Sequence, residues 1–431
     1  MNSQQHIAII GAGWAGLAAA VRAVELGHRV TVFEAARSPG GRARAVPLAL
    51  PGGGTLVADN GQHILIGAYT ATLALMRAVG VDPAQALQRL PLTLRYPDGS
   101  GLALPRLRPP LDAAAGILTA RGWRWAERLA LLRAAADWRR GGFACDASLT
   151  VAGLCAHLPA RVMQDFIEPL CVAALNTPVA EASALVFLRV LQDALLGPPG
   201  SADLLLPRTD LGALLPDPAL RWLRERGAAV HLGRRVEALH AQAPHWRIDG
   251  QDFDHVVLAL PAPAAARVLA ASTAPPPLAD ALHAWGASAA ALRHEAIATV
   301  YTLADSGLPA PMLALRANGG APAQFVFDRG ALPGSPAARL LAFVASAARS
   351  GSAELEQAVL RQAQTQLGLT VRPLRTVTEK RATFACTPGL RRPPMRIAPS
   401  LLACGDFIDG PYPATLEGAA RSGEQAAKAL R

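Results

Sequence analysis

His6-Ile7-Ala8-Ile9-Ile10-Gly11-Ala12-Gly13-Trp14-Ala15-Gly16 is the stretch on which the reading of this chain turns. An apolar run of strand length meets a Gly-x-Gly-x-x-Gly turn, and a helix-forming run, Leu17 to Leu26, follows at once. In such a strand–turn–helix unit each glycine has a separate task. Gly11 makes a turn too tight for a Cβ, Gly13 lets the main chain approach a pyrophosphate, and Gly16 lets the helix pack on the strands. The helix N-terminus then offers unpaired N–H groups and the positive end of its dipole to the phosphates. A second strand, Arg29 to Phe33, ends on Glu34. An acid at about that distance accepts the ribose hydroxyls and disfavours a 2′-phosphate, so the nucleotide is expected to be NAD or FAD rather than NADP.

The next residues choose between them. Ser38-Pro39-Gly40-Gly41-Arg42-Ala43-Arg44 places paired glycines and two arginines just after the ribose acid. Glycines at 40 and 41 allow close backbone approach, and guanidinium groups at Arg42 and Arg44 match pyrophosphate oxygens in a bidentate way. The bland alternative is a basic surface turn. The stretch resembles the Gly-Gly-Arg segment of the amine oxidase and carotenoid desaturase flavoproteins, which implies FAD. In that resemblance Arg235–Leu239 and His255–Pro261 are the middle strands returning to the nucleotide domain, with Val236 meeting the adenine through its backbone. Near the C-terminus, Leu401-Leu402-Ala403-Cys404-Gly405-Asp406 supplies the acid, Asp406, for the flavin pyrophosphate and ribityl region. The helix beginning at Thr415 and Leu416 aims its N–H groups at the isoalloxazine.

The expected fold is α/β, a Rossmann-type FAD-binding domain interrupted by an α+β substrate domain, as in the amine oxidases. Residues 1–75, 220–275 and 396–431 are assigned to the FAD-binding domain. Residues 76–219, read as mainly helical, and 276–395, read as strand-rich, form the substrate domain. Proline-rich breaks at Pro105–Pro110, Pro275–Pro277 and Pro388–Pro399 mark joints.

A chain of 431 residues, half of them hydrophobic, exceeds one core. The formal charge of +10 would ordinarily point to an anionic partner. Lysine occurs only at Lys380 and Lys428, in a chain crowded with Ala, Gly and Pro. The basic balance therefore looks like a bias of composition, and no nucleic-acid partner is expected. Five cysteines without Cys-x-x-Cys spacing read as reduced core residues, and no cluster has metal-ligand spacing. With no cleavable leader and no charge-free apolar span, the expectation is a cytoplasmic protein, soluble or peripheral on a membrane. Trp123, Trp125 and Trp138 lie among Arg121, Arg124, Arg128, Arg133, Arg139 and Arg140. Two readings stay open: a segment at the lipid interface, or, slightly favoured, an amphipathic helix with its tryptophans packed inward.

At Asp59-Asn60-Gly61-Gln62-His63-Ile64-Leu65-Ile66-Gly67-Ala68-Tyr69 the resemblance narrows to the hydroxysqualene dehydroxylases, flavoproteins of bacterial squalene and hopanoid synthesis. Glu168–Pro178, Leu206–Gly212, Glu379–Phe384 and Gly410–Gly418 match in the same way, so the likeness spans the chain. Cys404, where a small Gly or Ala is commoner, is the one departure. The resemblance implies reductive removal of a hydroxyl from hydroxysqualene, a hydrophobic isoprenoid, to give squalene and water. Breaking an allylic C–O bond calls for an acid near the oxygen, a hydride from reduced flavin, exclusion of water and an apolar tunnel. His63 is the candidate acid or hydroxyl anchor, against the alternative of a structural histidine. Tyr412 is the candidate donor to the leaving oxygen. Glu417 reads as a first-turn acid favouring its own helix dipole. Asp59, Asn176, Arg208 and Asp210 read as support, and the electron donor is unassigned.

Competing readings are carotenoid-type desaturation or amine oxidation on the same scaffold, both running electrons towards the flavin. A reading of another class is an escort of prenylated GTPases, which grips lipid tails without redox chemistry. Gly40-Gly41-Arg42 and Asp406 speak against the escort, which has no need of them.

Overall fold

The structure, a computed structural model, describes residues 4–330 and 339–430. Its organising element is a six-stranded sheet. Ala229–Leu232, Arg29–Glu34, His6–Ile10, His255–Leu258 and Leu401–Ala403 lie side by side in that order, all parallel, and Arg396–Ala398 adds an antiparallel edge. One sheet thus gathers strands from the start, middle and end of the chain.

Both faces of this sheet are covered. Ile7, Ile9, Val30, Val32, Val257 and Leu402 pack with the helices Trp14–Glu25 and Leu416–Lys428. Ala8, Ile10, Val256, Leu258 and Leu401 face the main core on the other side. A parallel sheet buried on both faces needs apolar residues at successive positions, which is why His6–Ile10 reads as a run and not as an alternation. The two covering helices approach closely at Gly423. A Cβ there would lie 2.1 Å from the Ala15 carbonyl oxygen and 2.9 Å from the Ala18 Cβ.

A second, antiparallel sheet takes the order Met312–Ala314, Phe325–Asp328, Arg339–Ser346, His294–Ala304, Val371–Phe384. Its last strand carries Arg381, Ala382 and Thr383 towards the loops at the nucleotide sheet. The 76–219 stretch is more mixed than its composition suggests. Helices Trp125–Arg140 and Ala184–Leu195 share it with strands Leu87–Leu90 and Leu204–Pro207, which pair with Leu65–Ile66 in a small sheet. Arg235–Leu239, read as a strand, is not one. The strand ends at Leu232, and Gly233 turns the chain with φ +72°. The segment then crosses the sheet's edge, with the Gly233 and Arg234 N–H groups bonded at 2.8 Å to the carbonyls of Ala36 and Glu34.

Candidate functional site

The glycines of the first turn divide into two kinds. Gly11 has φ +112°, and a Cβ there would lie 2.4 Å from the Ala259 carbonyl oxygen; one on Gly16 would lie 1.9 Å from the Gly11 oxygen. These two shape the turn and seat the helix. Gly13 is different, since the nearest heavy atom to a Cβ would be Gly41 Cα at 3.9 Å. Gly41, at φ +62°, looks back at Gly13 across a space that neither fills. Gly40 holds the two loops together, its N–H donating to the Ala12 carbonyl at 2.8 Å. The helix behind them has Gly13 as N-cap, no capping side chain and no acid in its first turn. Its N–H groups and dipole are left for an anion.

Glu34 accepts the N–H groups of Ala12 and Ala36, each at 2.7 Å. Each carboxylate oxygen keeps a further lone pair. Beyond the carboxyl ends of the first two strands lies a cavity of about 510 Å³ walled by Ile10, Phe33, Val236, Leu260 and Val268. That is where open α/β sheets take their ligands.

Arg42 does something its sequence position does not reveal. Its Nη2 pairs with Asp406 Oδ1 at 2.5 Å, and its Nη1 donates to the Ala382 carbonyl at 2.5 Å. The guanidinium expected to neutralise a pyrophosphate is therefore already compensated by the acid expected to hold the flavin. Arg44 makes no ion pair among the described residues and bonds only the Gly41 carbonyl, at 2.6 Å. Its guanidinium could therefore meet a phosphate.

On the C-terminal helix, Thr415 is the N-cap, its Oγ1 accepting the Gly418 N–H at 3.0 Å. Glu417 is buried and serves another helix. It accepts the N–H groups of Ala71 and Thr72 in the first turn of Thr70–Ala78, together with the Thr72 hydroxyl. Arg421 adds a bond of 2.7 Å to the same carboxylate. The acid stands in the first turn of its own helix, as expected, and also caps a second one.

His63 lies in the loop between the strands Thr55–Asp59 and Leu65–Ile66. Its Nδ1 is 2.8 Å from the Gly61 carbonyl oxygen. A carbonyl only accepts, which assigns the proton to Nδ1 and leaves Nε2 as an acceptor. Burial and the nearby Arg42 charge hold the ring below the ordinary histidine pKa, against the Gly61 bond that raises it. His63 is therefore neutral near pH 7. Asp59 anchors the start of this loop. Its Oδ1 accepts the Leu211 N–H at 2.7 Å, its Oδ2 lies 3.4 Å from Arg329 Nη2, and its carbonyl accepts the Tyr301 hydroxyl at 2.8 Å. Burial pushes its carboxyl up to about 6, against Arg329, which lowers it.

The family model of flavin-containing amine oxidoreductases matches residues 14–431. The chain belongs to that family. Along its full length it is also similar to the hydroxysqualene dehydroxylase of Rhodopseudomonas palustris, at 28% identity over 99% of this chain and 98% of that one. The resemblance drawn from the motif blocks thus holds from end to end. A hydroxyneurosporene desaturase of Rhodobacter capsulatus is 44% identical, but over 24% of this chain and 21% of its own. The crystal structure of an oxidoreductase from Methanosarcina mazei shares the fold, with a TM-score of 0.72 at 17% identity over 98% of this chain and all of that one.

As a member of this family the protein is an FAD-dependent oxidoreductase. Its residues fit the cofactor on two observations beyond the family itself. The facing glycines at 13 and 41 leave a cradle that a Cβ on either would invade. Gln62, also buried, gives its Nε2 proton to the His63 carbonyl at 3.0 Å, while its Oε1 has no donor among the described residues.

Other expected residues fall elsewhere. The Tyr412 ring has the guanidinium carbons of Arg189 and Arg421 at 5.5 and 5.4 Å from its centroid. Burial, ahead of the nearby Asp193 charge, raises the pKa of its hydroxyl. Asn176 and Asp210 are structural. Asn176 bonds Thr383 and the Ala347 N–H, and Asp210 caps Leu211–Leu214. Arg208 and Lys380 are exposed. Arg392 went unnoticed in sequence. It is half-buried, donates to the Tyr412 carbonyl at 2.8 Å and stacks over Phe384 at 5.1 Å. Among the described residues no group of acids, histidines and cysteines could hold a metal ion, and no helix is long and apolar enough to cross a membrane.

Proposed function

We propose that this oxidoreductase removes the hydroxyl of hydroxysqualene reductively, giving squalene and water. The observation carrying this reading is the end-to-end similarity to a hydroxysqualene dehydroxylase, set against a desaturase match confined to about a quarter of the chain. In the net change a proton joins the hydroxyl, the C–O bond breaks, and hydrogen with its electron pair takes the oxygen's place. Bound in its reduced form, FAD supplies that hydride.

The chain's residues do the rest. Gly11 and Gly16 shape the phosphate turn, while Gly13, Gly41, Arg44 and the helix terminus at Trp14 take the pyrophosphate. Glu34 holds the ribose and Val236 borders the adenine. Asp406, oriented by Arg42, would hold the ribityl side of the cofactor, and the helix N-terminus at Thr415 and Leu416 would offer its N–H groups to the isoalloxazine. We assign His63 as the anchor of the substrate hydroxyl: its free Nε2 accepts the O–H and points the leaving oxygen. A neutral imidazole suits that task and is ill suited to be a resident acid. Tyr412, whose ring lies against the Arg189 and Arg421 guanidinium groups, is assigned to shape the site beside the flavin helix rather than to protonate.

The test is anaerobic. The purified holoprotein is reduced with dithionite, hydroxysqualene is added, and flavin absorbance is followed with the extracted lipid. Reoxidation with an equal amount of squalene is expected. Flavin that stays reduced, in protein that then oxidises a polyene or an amine, would replace this reading with desaturation or amine oxidation.

A further inference from the structure

We propose that the face built by residues 107–129 docks this protein on an anionic phospholipid bilayer. Five of the eight large apolar side chains that stand exposed among the described residues lie in this one stretch: Leu107, Leu111, Leu118, Trp125 and Leu129. Leu111 and Trp125 are the barest, at 63% and 65% exposure.

Their placement follows from the two helices that carry them. Leu111–Leu118 turns Gly116 and Ile117 inward, and Trp125–Arg140 turns Leu131 and Ala134 inward. Leu111 and Leu118 fall two turns apart on one stripe, and Trp125 and Leu129 one turn apart on the other helix. Arg128 joins the stripes. Its two terminal nitrogens donate to the Leu118 and Ala120 carbonyls at 2.8 Å, and its guanidinium carbon sits 4.8 Å from the Trp125 ring centroid. The exposed leucines and the tryptophan thus share a face.

Charge names the occupant. Residues 106–140 hold eight arginines and three carboxylates. All of these arginines but Arg128 are exposed, whereas Asp112 is buried and Glu127 accepts the Arg124 N–H at 2.6 Å. An apolar centre with a guanidinium rim lets side chains enter the acyl boundary while the cations meet lipid phosphates. A second copy fits worse, because a two-fold contact would set this cationic rim against itself. The structure also corrects which tryptophan is available. Trp123 is 4% exposed, its Nε1 donating to the buried Asp165 at 3.2 Å, and Trp138 packs against the core. Trp125 alone of the three faces out. This inference stands apart from the choice of substrate, since its readout is binding and not turnover.

The experiment floats holoprotein with vesicles of phosphatidylcholine alone and of phosphatidylcholine with phosphatidylglycerol. Binding to the anionic vesicles, weakening with salt, is expected. Leu111→Ser with Trp125→Ser should abolish flotation while flavin content is unchanged. Arg108→Gln with Arg133→Gln should weaken it by on the order of fivefold per arginine removed. Equal recovery with both vesicle types, no flotation at low salt, or variants that float like the parent would overturn the proposal. So would a dimer in sedimentation that the Leu111→Ser, Trp125→Ser variant dissociates, for then a second copy covers the face.

Discussion

Replacing Glu417 should destabilise this protein in an order that its contacts dictate. Glu417 is 2% exposed and accepts from Ala71 N at 3.0 Å, Thr72 N at 2.9 Å, Thr72 Oγ1 at 2.9 Å and Arg421 Nε at 2.7 Å. In Glu417→Ala, two backbone donors and a hydroxyl at the start of Thr70–Ala78 lose their acceptor inside the protein. A bond to a charged group nets about 1.5–3 kcal/mol. These four share one carboxylate and do not add, and Arg421, 36% exposed, recovers part of its loss from water. The alanine variant should therefore lose about 4 kcal/mol, within the range for breaking a buried ion pair. Glu417→Gln keeps one accepting oxygen but turns an amide N–H₂ towards donors, and should lose about half as much.

Thermal unfolding of the holoproteins, with flavin-to-protein ratio as a second readout, tests the order. Taking about 2 °C per kcal/mol for a large domain, alanine should unfold roughly 8 °C early and glutamine roughly 4 °C early. Glutamine should also retain flavin and turnover. An alanine variant that unfolds with the parent would refute the capping argument. A glutamine variant as stable as the parent but inactive would move Glu417 from packing to chemistry.

Gly423→Ala should release FAD more readily than the parent on gel filtration. Its Cβ would sit 2.1 Å from the Ala15 oxygen, so the helices bearing the phosphate turn and the flavin cap must part, at about 1–3 kcal/mol for overpacking; unchanged retention would show that this spacing does not matter. His63→Ala should keep bound FAD and lose most activity with hydroxysqualene. In the parent protein kcat/KM should hold through neutral pH and fall as acid protonates Nε2, below the ordinary histidine value of 6.5. A rise in rate on acidification would instead make His63 the acid.

The sequence discloses what is local and hides what is paired across distance. Gly11, Gly13 and Gly16 are readable because a turn's demands are met within six residues, and the two-sided burial of the sheet is written into His6–Ile10. The Arg42–Asp406 bond joins residues 364 apart, and Glu417 reaches its helix across 345. No spacing rule connects them, so each acid was read by what stood next to it. Arg235–Leu239 misleads in another way. Its alternating pattern fits a strand, but the parallel place beside Arg29–Glu34 is already taken by Ala229–Leu232. The segment is left outside the sheet, with Val236 lining the cavity. Arg392 lies in a proline-rich joint, where a half-buried guanidinium leaves no periodic trace. Trp123 and Trp125 differ by two residues and face opposite ways, one held by Asp165 and the other bare. Composition, which counted them together, could not separate core from surface.

The pairing of Arg42 with Asp406 also bears on the chemistry proposed. A lone guanidinium near His63 would do two kinds of harm in a site that must tolerate developing positive charge on an allylic carbon. It would repel that charge, and it would draw the His63 hydrogen-bonding lone pair away from the substrate hydroxyl. Asp406 at 2.5 Å and the Ala382 carbonyl offset part of that charge, and what is left still lowers the His63 pKa. The bond draws on three separate stretches: the loop after the ribose acid, the last strand of the antiparallel sheet and the C-terminal motif. The contact that joins the two ends of the chain therefore also moderates the charge beside His63. Less net positive charge there suits a hydrocarbon substrate and a nascent allylic cation alike. Removing Asp406 should then do more than weaken flavin binding, because it would leave Arg42 uncompensated and lower the His63 pKa further.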